Sequence, residues 1–356
     1  MTKIVAEEEA YLLGSLFGRG SIEIDRQGNY QLILRIPFKE YSPIMVEMVK
    51  ALERESKGMT TEQLLNLPII QANNVRNIGL LLNRLKSWHP PRKTASSPLL
   101  IKVRNKWKLN DSSLAKEFYR WQTLYLEREK AGMEFVLRHL QETATFLATD
   151  PSYEESVSAF GVLNHIIRCN ITEKTFLDLK SLYNLEEGDI YRHCRLPKSL
   201  FRLSKQAQYD FVRGLADTIA TIDVWLIPRV QFSVINSNYG FAVDICTLLQ
   251  TKLQVPVYYI GWAGSYSKRG GRDHLVKVWI TNFDRDKFEW PLFYNQRKHA
   301  EFLEHLEIGK KQLAEVGRRH MPHWLNFCPF DRKKTGYMYT CMKNGCPRPA
   351  RFLGLR

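Results

Sequence analysis

The stretch AYLLGSLFGRGSI, residues 10–22, decides how the rest of this sequence is interpreted. Its first nine residues are apolar or small and carry no charge, so they predict a buried helix. The alternating residues SIEIDR (21–26) predict a strand, and YQLILRIP (30–37) predicts its partner after the turn QGN. This part of the chain is therefore predicted to fold as a helix followed by a β-hairpin.

The same order of predicted elements recurs in the second half of the chain. QYDFVRGLADT (208–218) predicts another apolar helix, and residues 221–227 and RVQFSVI (229–235) predict another hairpin. Further helix and strand patterns follow at 42–55, 73–88 and 98–109 in the first half and at 238–253, 255–262 and 274–281 in the second. Because one supersecondary unit is repeated, we predict an α+β fold of two pseudo-symmetric repeats.

LLGSLFGRG (12–20) and VRGLADTIA (212–220) each resemble the nine-residue LAGLIDADG signature of homing endonucleases. The resemblance covers about 5–110 and 205–305 and implies two αββα-type repeats. It also implies that the two signature helices pack side by side and that the hairpins form a DNA-binding saddle. Small residues one turn apart suit this close packing; they are Gly14, Gly18, Gly214 and Thr218.

The chain departs from the family at the two positions that carry the chemistry. In the family, the eighth signature residue is an acid that binds Mg²⁺, whereas here the two positions hold Arg19 and Ile219. Asp217 remains at the sixth position of the second copy, which is usually structural. We therefore predict a sequence-specific protein that binds double-stranded DNA, does not cut it alone, and either delivers a protein partner to its site or acts as a regulator.

Two alternatives remain open at this point. The first is an active, Mg²⁺-dependent DNA endonuclease with relocated acids, for which the candidates are Glu7, Glu8, Glu9, Glu23, Asp25 and Asp223. The second is an RNA-binding splicing cofactor, because the LAGLIDADG family includes such maturases and a basic saddle suits structured RNA.

The charge of the chain favours a nucleic-acid partner. There are 52 Lys and Arg against 37 Asp and Glu, a net charge of +15. Strands alternate their faces, so one face of each hairpin is polar, and Arg and Gln suit guanine and adenine edges. The predicted DNA contacts are Arg19, Gln31, Arg35, Arg229, Gln231 and Ser233, with Lys268, Arg269 and Arg272 on phosphates.

The C-terminal tail carries a predicted structural zinc site. Cys328, Cys341 and Cys346 lie close together in a basic segment, and His323 would complete a tetrahedral set, with His320 in reserve. Zinc would let a tail too short for its own core fold. A rival cluster of metal-binding residue types is His165, Cys169, His193 and Cys194.

The predicted domains are a first repeat (1–112), a helical middle segment (113–203), a second repeat (204–307) and the zinc-stapled tail (308–356). Residues 172–194 have the pattern of a helix-turn-helix, with Tyr191, Arg192 and His193 offered to a major groove, or of a plain helical hairpin. No run of 18 apolar residues predicts a membrane span, and the N-terminus lacks a signal-peptide pattern. We therefore expect a cytoplasmic protein, associated with the nucleoid if bacterial.

Overall fold

A computed structural model of the protein describes residues 9–38, 40–75, 77–88, 90, 97–144, 151–158, 160–183, 185, 187–224, 228–257, 259–262, 273–283 and 292–316. The helices are α1 (Ala10–Arg19), α2 (Pro43–Arg54), α3 (Thr61–Leu65), α4 (Pro68–Ala72), α5 (Ile78–Ser87), α6 (Ser112–Ala144), α7 (Glu173–Tyr183), α8 (Lys205–Ile219), α9 (Tyr239–Thr247) and α10 (Gln296–Val316). The strands are β1 (Gly20–Ile24), β2 (Tyr30–Phe38), β3 (Met59–Thr60), β4 (Leu100–Val103), β5 (Lys106–Leu109), β6 (Ser152–Val157), β7 (Leu163–Ile171), β8 (Gly188–Asp189), β9 (Ala220–Asp223), β10 (Arg229–Val234), β11 (Tyr259–Trp262) and β12 (His274–Trp279). The fold class is α+β, as predicted.

The chain divides into two compact units, each discontinuous in sequence. Unit 1 comprises Met1–Arg35, Gly132–Ser152 and Ile167–Arg356, and unit 2 comprises Ile36–Ala131 and Tyr153–Ile166. This division differs from the four consecutive domains expected from the sequence. Strands β2 and β7 contribute residues to both units, and contacts between distant segments are invisible to composition and local pattern.

Helices α1 and α8 pack side by side within unit 1, as the signature copies imply. A Cβ atom built on Gly14 would overlap the backbone carbonyl of Phe211, and one built on Gly214 would overlap that of Tyr11. The two backbones therefore touch directly at this crossing. All of α1 from Ala10 to Gly18 is buried, which explains why it is apolar on every side.

One turn closer to the hairpins, the side chain of Thr218 lies between α1 and α8. A Cβ on Gly18 would overlap Oγ1 of Thr218. That hydroxyl donates to the carbonyl oxygen of Gly214 at 2.9 Å, so the threonine is held against its own helix. The four small residues predicted to allow the approach all lie in the interface.

Each of these helices leads directly into a hairpin, and the registers of the two hairpins differ by two residues relative to the helix ends. Gly20 pairs with Leu34 in β1–β2, and Ala220 pairs with Phe232 in β9–β10. The strand orders also correspond, since one sheet runs β6-β7-β2-β1-β8 and the other β11-β12-β10-β9. In both sheets two strands from later in the chain extend the second strand of the hairpin, and in the first sheet β8 also pairs with β1.

The single strand predicted at 98–109 is two strands, neither of which belongs to the first sheet. Residues 98–109 contain β4 and β5 on either side of a turn at Arg104, whose φ is +55°. These strands join β3 in a separate three-stranded sheet. The strands β7 and β6, from the segment predicted to be helical, extend the first sheet instead.

The predicted helix-turn-helix at 172–194 is wrong in its second half. Its first helix is present as α7, but Gly188 has a φ of +99°, which a helix cannot contain. Residues Gly188 and Asp189 form β8, which pairs with β1, and a short 3₁₀ turn follows at Ile190–Arg192. The side chains offered to a groove therefore do not lie on a recognition helix.

Within the described ranges, no helix is both long and apolar enough to cross a membrane.

Candidate nucleic-acid interface

The two hairpins bury one face, and the other face is mostly polar and partly exposed, although Ser21, Ile33 and Arg229 on it are buried. Ile22, Leu32 and Leu34 of the first hairpin are buried, as are Val230 and Phe232 of the second. The opposite face carries the predicted contact residues, as alternation along a strand requires. They are Gln31 and Arg35 in the first hairpin and Arg229, Gln231 and Ser233 in the second.

On the first hairpin, Arg35 is the centre of a hydrogen-bond network. Its guanidinium donates to Ser21 Oγ at 2.7 Å and to Glu23 Oε1 at 3.0 Å, and it lies 3.9 Å from Asp189. Gln31 donates to Asn170 Oδ1 at 3.1 Å. The side chain of Arg35 is 37% exposed, so it is held in place yet still open to a ligand.

On the second hairpin, Arg229 has a different environment from the one expected. Its side chain is only 7% exposed, and its guanidinium donates to Asp223 Oδ2 at 2.8 Å. Lys277, on the neighbouring strand β12, lies 3.4 Å from the same carboxylate oxygen and is 13% exposed. Arg229 was predicted to contact bases, but its burial and pairing suit it to positioning Asp223.

Gln231 lies between these groups and the end of α8. Its amide nitrogen donates to Thr221 Oγ1 at 3.3 Å. Its amide oxygen Oε1 is buried and has no hydrogen-bond partner among the described residues. Gln231 as a whole is partly exposed, so a rotation of its amide would bring this unmet acceptor to a donor from a ligand.

A matched pair of acids, which the sequence did not place, occupies equivalent positions in the two hairpins. Glu23 pairs with Gln31 across β1–β2, and Asp223 pairs with Arg229 across β9–β10, each three residues after the helix cap. Partial burial raises the pKa of Glu23, but hydrogen bonds from Ser21 and Arg35 outweigh it and leave the pKa below its ordinary value. Each acid is thus already paired with basic side chains. The equal distance of the two acids from their helix ends is the signal that finds this pair.

The two positions that hold acids in the family differ from each other in this structure. The guanidinium carbon of Arg19 lies 5.2 Å from the centre of the Tyr191 ring, and Arg19 Nε has no hydrogen-bond partner among the described residues. Ile219 is buried and 5% exposed. Neither side chain can bind a divalent cation, because neither supplies an oxygen ligand.

Asp217 is a buried structural anchor. Its carboxylate accepts a hydrogen bond from Tyr11 at 2.8 Å and two from the backbone N–H groups of Tyr294 and Asn295 at 3.1 Å. Burial raises its pKa to about 6, although nearby Lys298 and the three donors act in the opposite direction. Lys298 donates to the backbone carbonyl of Asp217 at 2.5 Å, at the end of α8. Asp217 thus joins α1, α8 and the start of α10.

Several predicted site residues lie outside the described residues. They are the phosphate-contact residues Lys268, Arg269 and Arg272, the zinc ligands His323, Cys328, Cys341 and Cys346, the reserve ligand His320, and the alternative acids Glu7 and Glu8.

The rival metal cluster is not supported. His165 and Cys169 were expected on one helix face, but both lie on strand β7, where four residues span about 13 Å. Cys169 and Cys194 are both buried, and neither forms a disulfide. No group of three or more His, Cys, Asp or Glu side chains able to hold a metal ion occurs in the part of the chain that the structure describes.

No family model matches this sequence, and no curated protein matches it. Similar solved structures are chains of I-DmoI. Its complex with DNA and Ca has 12% identity and a TM-score of 0.37 over 85% of this chain and 100% of that chain. The complex with DNA and Mn has 10% identity and a TM-score of 0.33 over 84% and 96%. Mesophilic variants of the homing endonuclease I-DmoI have 12% identity and a TM-score of 0.37 over 85% and 100%. These values are low, so the function of this chain is inferred from its own geometry.

Proposed function

We propose that this protein recognises a site on double-stranded DNA through the polar faces of its two hairpins and does not cleave that site by itself. The observation that carries the proposal is the pair of hairpins, each following directly from one helix of a glycine-packed pair. We infer that these two hairpins form a saddle whose strands fit a major groove. The net charge of +15 supports a polyanionic partner.

Within this saddle we assign base contacts to Gln31, Arg35 and Gln231. Glutamine and arginine donate and accept in the patterns that adenine and guanine edges present. Arg35 and Gln31 keep partial exposure, and Gln231 has an unmet acceptor. Arg229 and Lys277 act as positioning residues around Asp223.

The proposed loss of cleavage rests on the helix ends. Arg19 and buried Ile219 replace the metal-binding acids of the family, and Glu23 and Asp223 are engaged with basic side chains. A protein that binds a site without cutting it would serve as a regulator or bring a protein partner to that site.

A binding selection on a random duplex library with Mg²⁺ tests the proposal. We expect one enriched motif, recovered with intact strands. Strand breaks at a fixed position inside the motif would show an active nuclease. Loss of those breaks in Glu23→Gln and Asp223→Asn would then locate its acids. Tighter binding to structured RNA than to the selected duplex at equal salt would favour the splicing cofactor.

Replacing Gln31 or Gln231 with alanine is expected to relax the sequence preference at one position of the motif. The binding free energy that favours the preferred base there should fall by about 1–3 kcal/mol. The measurement is the same selection, repeated on each variant. Gln206→Ala is the matched control, because Gln206 is exposed in the first turn of α8, at the opposite end from the hairpin. An unchanged motif in both variants, or the same relaxation in the control, would contradict the assignment.

We also propose that His323, Cys328, Cys341 and Cys346 bind one structural zinc ion, which the spacing and softness of these ligands support. Elemental analysis of the purified chain is expected to find one zinc per chain, lost in Cys341→Ser. Cys169→Ala, which alters a buried cysteine on β7, should keep the metal. Zinc retained by Cys341→Ser, or absent from the wild type, would reject the site.

A further inference from the structure

The segment 58–110 has a strongly one-sided charge that the hairpin saddle does not use. It contains nine Lys or Arg residues and one acid, Glu62. All of it belongs to unit 2, whereas the polar faces described above belong to unit 1. A charge imbalance of this size over about fifty residues attracts a polyanion.

The first part of this segment is a run of helices separated by tight turns. Thr60 and Gln63 form a reciprocal capping box that starts α3, with hydrogen bonds of 3.1 and 2.8 Å. Asn74, with a φ of +48°, ends the turn that follows α4. Asn77 then caps α5 by accepting from the backbone N–H of Leu80 at 3.0 Å. The described residues thus give the element order of a helix-turn-helix at a place where the sequence pattern did not indicate one.

A basic β-hairpin follows α5 and packs on the same core. Strands β4 and β5 pair with each other, β5 also pairs with β3, and Trp107 Nε1 donates to Thr61 Oγ1 at 3.2 Å. The core beneath includes Leu64, Ile70, Leu81, Leu85 and Leu100. The order is that of a helix-turn-helix followed by a hairpin wing, and we call residues 58–110 the winged segment.

Helix α5 has a clear division between a buried side and an exposed side. Ile78, Leu81, Leu82 and Leu85 face the core. Gly79, Leu80, Asn83, Lys86 and Ser87 are exposed. An exposed helix face with asparagine, lysine and one apolar side chain suits the major groove, where asparagine reads adenine and apolar groups contact the thymine methyl.

The wing carries basic side chains that are placed to contact the phosphate backbone of bound DNA. Lys102, Arg104 and Lys106 are all exposed, and Arg104 stands at the tip of the turn. The ammonium of Lys102 lies 5.5 Å from the centre of the Trp107 ring, which restrains it on the hairpin surface. Cations on a rigid hairpin next to a groove-reading helix are placed to contact phosphates.

We propose that the winged segment is a second binding surface for duplex DNA, separate from the hairpin saddle, with α5 in the major groove and the wing on the phosphate backbone. This surface shares no residue with the saddle, so substitutions can remove DNA contacts from one surface without altering the residues of the other.

The test uses the full chain with Lys102→Gln, Arg104→Gln and Lys106→Gln combined, titrated against a labelled random-sequence duplex over a range of salt concentrations. Losing three phosphate contacts is expected to weaken binding about tenfold or more and to reduce the slope of log K against log salt by about 2.7. All three residues are exposed, so circular dichroism should show an unchanged fold. The matched control is Lys116→Gln, Arg120→Gln and Lys130→Gln, which removes the same charge from the exposed side of α6. Equal losses in both triple variants, or none in the wing variant, would overturn the proposal.

A second readout separates this proposal from the hairpin saddle. Asn83→Ala is expected to change one position of the selected motif and leave the positions read by Gln31 and Gln231 intact. If the wing variant binds like wild type while Gln31→Ala and Gln231→Ala lose preference, the saddle stands and the winged segment is wrong. If only the wing and Asn83 variants change binding, the winged segment stands and the saddle is wrong.

Discussion

Replacing Gly14 with alanine is expected to lower the free energy of unfolding by about 3 kcal/mol or more, the upper part of the range for overpacked sites. The added Cβ would overlap the backbone carbonyl of Phe211, which cannot move aside as a flexible side chain would. Helices α1 and α8 would have to separate, and both hairpins follow directly from these helices. The measurement is the urea midpoint of the far-UV circular dichroism signal.

Two further glycine substitutions make the Gly14 result interpretable. Gly214→Ala should have a similar effect, because its Cβ would overlap the carbonyl of Tyr11 on the facing helix. Gly79→Ala is the control, since Gly79 is an exposed residue of α5 whose Cβ would meet only Asn77 Oδ1 at 3.4 Å. That control should be neutral or more stable by up to about 1 kcal/mol. A Gly14→Ala protein with the wild-type midpoint would mean that the two helices do not touch.

Replacing Asp217 with alanine is expected to cost about 3–5 kcal/mol of stability, as for other broken buried ion pairs. The substitution leaves the hydroxyl of Tyr11 and the backbone N–H groups of Tyr294 and Asn295 without their acceptor. It also leaves Lys298 as a buried cation without the nearby carboxylate. The free energy of unfolding in urea measures the effect.

A control variant separates the effect of removing Asp217 from the effect of removing any other carboxylate. Glu134→Ala removes an exposed carboxylate from α6 and should change stability by less than about 0.5 kcal/mol. Asp217→Asn should fall between the two, because an amide can accept one of the hydrogen bonds but turns a donor toward another. If Asp217→Ala were as stable as Glu134→Ala, Asp217 would not be an anchor, and its retention in the signature would need another explanation.

The helix pair and its hairpins could be predicted because their signals are local. An apolar helix containing Gly14 and Gly18, followed by alternating strand residues, is recognisable without its neighbours. The same pattern at Gly214 and Thr218 then predicts the partner, and the structure brings the two together. The apolar faces of β2 and β10 are buried as alternation along a strand predicts, whereas Ile33 and Arg229 are also buried on the opposite face.

The strand extensions and several side-chain environments could not be predicted, because they depend on contacts between distant segments. The strand pattern at 98–109 contains a turn at Arg104 that only its positive φ reveals. Arg229 belongs to a polar strand face, yet Asp223 on the facing strand pairs with it and leaves it nearly buried. Gly188 interrupts a helical pattern because β8 pairs with β1 instead.

By itself, the sequence determined the two helix–hairpin copies, the absence of metal-binding acids at Arg19 and Ile219, and the excess of positive charge. Spacing, chemistry and composition are properties of the chain before it folds. Only the tertiary structure decided that Glu23 and Asp223 occupy matched positions, that Asp217 is an anchor, and that a basic hairpin of β4 and β5 shares a core with the short helices before it. Each of these three features depends on which strands and helices from distant parts of the chain pair, and on which polar groups are buried together. The pattern of a single sequence does not specify those pairings.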